Sequence, residues 1–111
     1  MKRVTVLNKL KKSGVIAVLR AHTKDEALKV TEAVINGGIT GIEVTFSVPQ
    51  AEEVVRKIKE LHSDCEELVI GAGTVLDAIT ARMAILAGAE YIVSPAFDKE
   101  TAEICNLYQV P

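Results

Sequence analysis

The alternation of strands and helices constrains this chain more than any other feature of its sequence. Short apolar runs recur at intervals of roughly 23 to 27 residues, and each is followed by a segment with the apolar period of a helix. Strands that alternate with helices form βαβ units, because two parallel strands need a long crossover between them. The chain is therefore predicted to have an α/β fold with a parallel sheet.

The positions of the elements follow from the same pattern. Strands are predicted at 15–19, 41–46, 68–70 and 91–95, with Val110–Pro111 opening a fifth. Helices are predicted at 4–12, 23–36, 47–61, 77–86 and 98–107. The second of these helices opens on the capping-box sequence Thr23-Lys24-Asp25-Glu26.

Three stretches lead to more specific predictions about packing. The continuous apolar run at 15–19 indicates a strand that is buried on both faces. Pro49 is expected in the first turn of its helix, where a missing N–H does no harm. In the helix at 77–86, Ile79, Met83 and Leu86 are expected to pack closely together with several alanines.

Two architectures fit this pattern, an open doubly wound sheet and a (β/α)8 barrel of the TIM type. The doubly wound sheet usually has its glycine-rich turn after the first strand, whereas here Gly71-Ala72-Gly73-Thr74 follows the third. Polar residues also recur at every strand end, where barrel enzymes build their sites. The barrel is favoured, and residues 1–111 would form the N-terminal half of one barrel domain, about four and a half units plus an N-terminal helix. The strand-end residues are Arg20, Glu43 with Thr45, Thr74 and Ser94.

Composition argues against several classes of function. A net charge of −2 gives no reason to expect nucleic acid or a membrane surface as a partner. No apolar run approaches the roughly 20 residues that span a bilayer, and no secretory signal follows Met1. Cys65 and Cys105 fit no zinc spacing and are expected to be free thiols. We therefore expect a cytoplasmic protein that uses no metal or other cofactor.

Glu43 is the strongest candidate for a functional residue. Side chains alternate between the two faces of a strand, so Ile42, Val44 and Phe46 share an apolar face and Glu43 points to the other. A buried carboxylate is costly unless it is paired or used. It could form a structural ion pair with Arg20, or it could be a general base whose pKa is raised by burial.

The other candidates are weaker when each is taken alone. The glycines of the predicted turn at 71–74 could let a small ligand approach the backbone, with Thr74 supplying a hydroxyl, or the turn could be structural only. Arg20 could bind a carboxylate or a phosphate, and Ser94-Pro95 reads best as a turn. None of the lysines lies in an apolar strand, so no desolvated lysine suited to a Schiff base is expected.

Taken together, the motifs resemble those of a known enzyme family, although no single motif is specific enough to show this. In their order and spacing over 14–111, they resemble the N-terminal half of the bacterial 2-keto-3-deoxy-6-phosphogluconate (KDPG) and 4-hydroxy-2-oxoglutarate (KHG) aldolases. The matching segments are Ala17–Ala21, Gly37–Ile39, Ile42–Phe46, Ile70–Val75, Ala87–Ala89 and Ile92–Pro95.

The resemblance implies a (β/α)8-barrel class I aldolase of the Entner–Doudoroff type, usually a homotrimer and independent of metal. Such enzymes cleave KDPG to pyruvate and glyceraldehyde 3-phosphate, or KHG to pyruvate and glyoxylate, through a lysine Schiff base. By motif, Glu43 matches the catalytic glutamate that moves protons. Ser47 stands where some members of the family have an arginine. The positions implied to bind substrate are Arg20, Thr45, Gly73, Thr74 and Pro95.

Two other interpretations stay open at this point. The family's lysine lies on the sixth strand, beyond Pro111. If the chain is part of a longer enzyme, it is therefore expected to be inactive on its own. Alternatively, the chain is a half-barrel without catalytic activity that self-associates to cover its open strand edges. Another phosphate-handling barrel, such as a synthase or an epimerase, would be favoured by a metal requirement, for which the sequence shows no ligands.

Overall fold

A computed structural model describes residues 1–111 as a four-stranded parallel sheet with helices in between. The strands are β1 Ile16–Leu19, β2 Gly41–Thr45, β3 Val69–Gly73 and β4 Tyr91–Ile92. The helices are α1 Lys2–Ser13, α2 Lys24–Asn36, α3 Ala51–Leu61, α4 Ala78–Ala87 and α5 Lys99–Leu107. The predicted α/β class and the parallel sheet are confirmed.

The strands lie side by side in chain order, β1-β2-β3-β4. This order lacks the reversal that defines a doubly wound sheet. Helices α2 to α5 also pack against one another in sequence. The four units therefore have the arrangement found in a barrel wall.

The main core lies between the sheet and helices α2 to α5. Ile42, Val44 and Ile70 point to this side of the sheet and are fully buried. They pack with Val54 and Ile58, and burying each such side chain stabilises the fold by about 1.5–3 kcal/mol. We call this side of the sheet the helix face.

The opposite side of the sheet carries the alternate residues and is here called the open face. One small apolar cluster lies on this face: Val6 of α1 packs on Val69 and Tyr91 near the N-terminal ends of the strands. At the β1 edge of this face, Ile16 and Val18 remain 39% and 47% exposed. Helix α1 thus covers the N-terminal ends of β2 to β4, whereas the β1 side of the open face is accessible.

Side chains at the predicted positions cap the helices. Thr23 accepts a hydrogen bond from the backbone N–H of Glu26 (3.1 Å), which confirms half of the predicted capping box. The carboxylate of Glu26 returns to the N–H of His22 (2.9 Å) rather than to that of Thr23. Asp77 and Asp98 cap α4 and α5 in the same way, and these hydrogen bonds hold the pKa of both carboxyls below the ordinary value.

Two predictions about the strands are wrong. The strand at 15–19 is not buried on both faces, because β1 is an edge strand and only its alternate residues meet the helices. The sequence Gly71-Ala72-Gly73 is not a turn but the second half of β3, paired with β2 and β4. Residues 110–111 belong to no strand, although the Pro111 carbonyl accepts a hydrogen bond from the N–H of Ile92 (3.0 Å).

Two predictions about the helices are also wrong. Helix α3 begins at Ala51 after a run of turns, so Pro49 precedes it. On α4, the buried residues are all alanines, whose small side chains allow the helix to approach the sheet closely, and Ile85 packs at the margin of the core. Ile79, Met83 and Leu86 are 76%, 47% and 65% exposed on the outer side.

None of the five helices combines the length and the apolar character that a membrane crossing would require.

Candidate active site

Glu43 lies at the centre of a row of residues that crosses the open face. The strand register places Val18, Glu43, Gly71 and Tyr91 side by side on β1 to β4. Glu43 is half-buried, and its side chain is the only carboxylate in the row. The alternation of side chains along β2 therefore put Glu43 where the sequence predicted, away from the helix face.

The carboxyl group of Glu43 lies over Gly73 of the neighbouring strand. A Cβ added to Gly73 would overlap the Oε1 and Cδ atoms of Glu43. Only glycine leaves this space free, so the glutamate can extend across β3 along the sheet. Gly73 thus makes room for a protein side chain, and its contact with substrate stays a prediction.

Tyr91 makes the same use of Gly71. A Cβ on Gly71 would overlap the Tyr91 ring, which crosses β3 and brings its hydroxyl to β2. There the hydroxyl donates a hydrogen bond to the carbonyl of Ile42 (2.7 Å), next to Glu43 in the chain. Two glycines on β3 thus make room for the two large side chains of the row.

Burial and the neighbouring charges set the state of Glu43. Burial raises the pKa of its carboxyl, and the positive charge of Arg20 partly opposes this effect. Arg20 follows β1, is exposed, and forms no ion pair with Glu43. Burial also raises the pKa of Tyr91, with a further contribution from the charge of Glu43, so the tyrosine stays protonated. The carboxyl is therefore poised to accept and release a proton closer to neutrality.

Thr45 has a structural partner. It is fully buried at the end of β2, and its hydroxyl donates to the carbonyl of Leu19 on β1 (3.0 Å). The hydroxyl of Ser47 is also within hydrogen-bond distance (2.9 Å). The contact of Thr45 with substrate stays a prediction, and these bonds show how β1 and β2 are tied together beside Glu43.

Thr74 directly follows β3 and adopts a backbone conformation that is rare for its type. Its φ of 55° lies in the left-handed region, which costs a β-branched residue about 1–2 kcal/mol. Such strain concentrates at functional sites. The turn holds the half-buried side chain at the same strand end as Gly73 and Glu43.

Pro95 lies in the loop after β4, which is shorter than predicted and ends at Ile92. The hydroxyl of Ser94 donates to the carbonyl of Val75 (2.7 Å), so this loop is fixed to the loop that follows β3. Pro95 itself is exposed. The predicted site residues thus lie towards one end of the sheet, where Gly73 is paired with Thr45 and lies under the Glu43 carboxyl.

The chain offers neither a metal site nor a buried lysine. No group of three or more His, Cys, Asp or Glu side chains converges in the structure. All the lysines lie on helices, and none is buried. They are Lys2, Lys9, Lys11, Lys12, Lys24, Lys29, Lys57, Lys59 and Lys99.

Sequence reasoning gave no role to Tyr91 and did not predict that Gly71 makes room for its ring. The available signal was a polar aromatic residue at the start of a strand, together with a glycine one strand away. That signal becomes readable only when the register between β3 and β4 is known.

Comparison with known proteins agrees with this arrangement. A model of the family described as KDPG and KHG aldolase matches residues 6–111. The chain belongs to the KDPG and KHG aldolase family. A family relative, the 2-dehydro-3-deoxy-phosphogluconate aldolase of Treponema pallidum, is 34% identical over 108 residues, which are 97% of this chain and 50% of that protein.

Solved structures of family members have the same fold. The KDPG aldolase of Zymomonas mobilis, solved with 3-phosphoglycerate, matches 95% of this chain at 30% identity with a TM-score of 0.80. The enzyme of Legionella pneumophila, solved with pyruvate captured as a covalent carbinolamine intermediate, matches 100% at 27% identity with a TM-score of 0.81. The chain spans about half the length of these relatives, namely 48% and 50% of the two solved chains.

Proposed function

We propose that this chain supplies the acid–base half of a class I aldolase site, in a protein that cleaves KDPG, KHG or both. The observation that supports the proposal most strongly is Glu43, a half-buried carboxyl whose pKa is raised by burial and which lies over Gly73. The products would be pyruvate with glyceraldehyde 3-phosphate from KDPG, or pyruvate with glyoxylate from KHG. Membership of the family supports this choice of substrates.

Glu43 would move one proton in each direction during cleavage. With the keto group of the substrate held as a protonated imine, the Glu43 carboxylate takes the proton of the C4 hydroxyl. The C3–C4 bond then breaks, its electron pair forms an enamine, and the aldehyde leaves. Glu43 returns the proton to C3, and hydrolysis of the imine releases pyruvate. A carboxyl with a raised pKa is suited to both directions of transfer.

The lysine that forms the imine is proposed to come from outside the described residues. The amine must be neutral and desolvated to react, whereas every lysine here lies on the accessible surface of a helix. The covalent carbinolamine of the Legionella relative supports imine chemistry in the family. The chain would then be inactive alone.

The remaining strand-end residues are proposed to bind the substrate. Arg20 is an exposed cation that could hold a carboxylate or a phosphate. Thr74 offers its hydroxyl from a constrained turn, and Pro95 would line the pocket. Gly73 would let the substrate approach the backbone beside Glu43, and Thr45 would contact the substrate from the end of β2. Ser47, which bonds to Thr45, supplies no positive charge on that side.

Residues 1–111 are proposed to be the N-terminal half of a single (β/α)8 barrel domain. The strands run in chain order without reversal, as a barrel requires. Beside β4, on the side away from β3, lies a hollow lined by Ile92, Cys105 and Val110. A further strand and helix of a barrel would fill this position. A cytoplasmic protein without a metal or an organic cofactor fits the same chemistry.

Self-association is proposed to involve the outer side of α4. Ile79, Met83 and Leu86 of α4 are exposed with the 4-3 spacing of a helix-pairing seam, and Leu76 is exposed just before the helix. Arg82 is the only charged residue of α4, and its guanidinium carbon lies 4.2 Å from the centre of the Tyr108 ring. Two copies could therefore meet along this seam without opposing like charges. These side chains could form the centre of an interface, and a stable interface would need further contacts around them. The proposed partner is a second copy, in a homo-oligomer that the family suggests is a trimer.

A half-barrel without catalytic activity is the second candidate. Ile16 and Val18 favour it, because these exposed apolar residues on edge strand β1 could pair with another copy. In that case, Glu43 would have no catalytic role, and its replacement would not change the release of pyruvate from KDPG.

Joining residues 1–111 to the second half of the Treponema pallidum relative would test the proposed function. We expect this hybrid to release pyruvate from KDPG, and Glu43→Gln to lower the rate by roughly 10²–10⁴-fold. Glu60→Gln, an exposed site on α3, is the matched control. An active hybrid in which Glu43→Gln cleaves KDPG as fast as the control would contradict the proposal.

A further inference from the structure

Tyr91 is the largest side chain beside Glu43, and the proposed chemistry gives it no task. It is 4% exposed, and its strand has only two residues. The ring crosses β3 over Gly71, and the hydroxyl reaches the carbonyl of Ile42 at 2.7 Å. It therefore bridges β4 and β2 through a side chain, in addition to the backbone ladder.

The bridge ends at the residue before Glu43. The Ile42 carbonyl is part of the peptide group that leads directly into Glu43, so this hydrogen bond restrains the backbone that carries the carboxylate. The register places Tyr91 and Glu43 in one row, separated only by Gly71. Since glycine has no side chain, the aromatic ring is the only group of β3 or β4 in that row that can fill the space beside the glutamate.

The ring also separates Glu43 from the end of the sheet that α1 closes. Val6 of α1 packs on Tyr91 and Val69, and Leu10 packs against this cluster. Tyr91 and this cluster thus form an apolar wall beside Glu43 on the side that faces α1. The charged or titratable groups that act on Glu43 are few, namely Arg20 at the end of β1 and Tyr91 itself.

We propose that Tyr91 is a positioning residue for Glu43. Its ring excludes water from the side of the carboxyl that faces α1, and its hydroxyl fixes the backbone of β2, so that the carboxyl is held over Gly73. The inference rests on the proposed role of Glu43. Its test reads the Glu43 carboxyl directly, so it can fail while the aldolase assignment stands.

The test is a ¹³C NMR titration of the Glu43 carboxyl in the 111-residue chain and in three variants. In Tyr91→Leu we expect the pKa of Glu43 to shift back towards its ordinary value, because water enters beside the carboxyl. In Tyr91→Phe, which keeps the ring, we expect most of the elevation to remain. Tyr108→Leu is the control, because this half-buried tyrosine packs under Arg82 and against the core on the helix face. An unchanged Glu43 pKa in a folded Tyr91→Leu variant would overturn the proposal.

A measurement on the native chain covers the case in which Tyr91→Leu fails to fold. The ring signals of Tyr91 should move with the same midpoint as the Glu43 carboxyl carbon, since ring and carboxyl share one site. The ring signals of Tyr108 should not follow this midpoint. If the Tyr91 ring is insensitive to the titration of Glu43, the ring does not line the carboxyl site and the proposal is wrong.

Discussion

The carboxyl group of Glu43 occupies the space in which a side chain on Gly73 would lie. Gly71, two residues earlier on the same strand, gives its space to the ring of Tyr91. The two glycines face the same side of β3, but their neighbours differ in stiffness. A glutamate can swing its end group away, whereas a buried, hydrogen-bonded ring cannot.

Gly73→Ala should therefore damage function more than stability. The added methyl group meets the flexible end of Glu43, so we expect the free energy of unfolding to fall by only about 1 kcal/mol or less. The displaced carboxyl should lower the KDPG cleavage rate of the hybrid enzyme by at least about tenfold. Urea unfolding and the pyruvate-release assay measure the two effects. A variant that unfolds readily yet keeps full activity would contradict the geometry.

Gly71→Ala should have the opposite balance. Its methyl group meets the rigid ring of Tyr91, and overpacking of this kind costs about 1–3 kcal/mol. We expect the midpoint of urea unfolding to fall clearly below that of Gly73→Ala. Combining Gly71→Ala with Tyr91→Leu should recover part of the loss, since the smaller side chain leaves room. If the double variant is less stable than both single variants, the two residues do not compete for one space.

Glu43→Gln should stabilise the fold near neutral pH. Burial raises the pKa of Glu43, so the folded chain holds this proton more tightly than the unfolded chain does. The free energy of unfolding then falls as the pH rises from the unfolded pKa through the folded one. At neutral pH, the variant should melt at a higher temperature than the native chain. At a pH well below the pKa of the Glu43 carboxyl, the two should melt at the same temperature. A lower melting temperature at neutral pH would instead indicate a structural ion pair with Arg20.

Ile79→Glu should weaken self-association. Burying an unpaired carboxylate at the centre of the exposed row on α4 costs more than about 1.4 kcal/mol, which corresponds to a tenfold loss of affinity. Sedimentation equilibrium would measure the loss, with Val30→Glu on α2 as a control at a partly exposed apolar site. If a Val18→Glu variant lowers the mass and Ile79→Glu does not, association occurs through the open face of the sheet and not through α4.

Local patterns were enough to predict much of the fold. Apolar period, caps such as Thr23 and Asp98, and the alternation around Glu43 are encoded within a few residues of chain. These signals located every helix and strand and identified the face on which Glu43 lies.

Features that depend on distant residues were missed. Gly71 and Gly73 looked like a turn because glycine interrupts most strands, and only the side chains of Tyr91 and Glu43 explain why a strand contains them. The outward position of Ile79 could not be predicted for the same reason, since the alanines of α4 take the core side by fitting a sheet that lies elsewhere in the sequence.

The central claim is that this chain contributes the proton-transferring carboxyl of an aldolase but not the lysine that binds pyruvate. Intact mass after incubation with pyruvate and borohydride tests it most directly, on the 11.9 kDa chain and on the hybrid with the Treponema pallidum half. We expect no adduct on the chain alone, and one reduced pyruvate on the hybrid, attached within the relative's half. An adduct on any of the nine helical lysines of this chain would contradict the account.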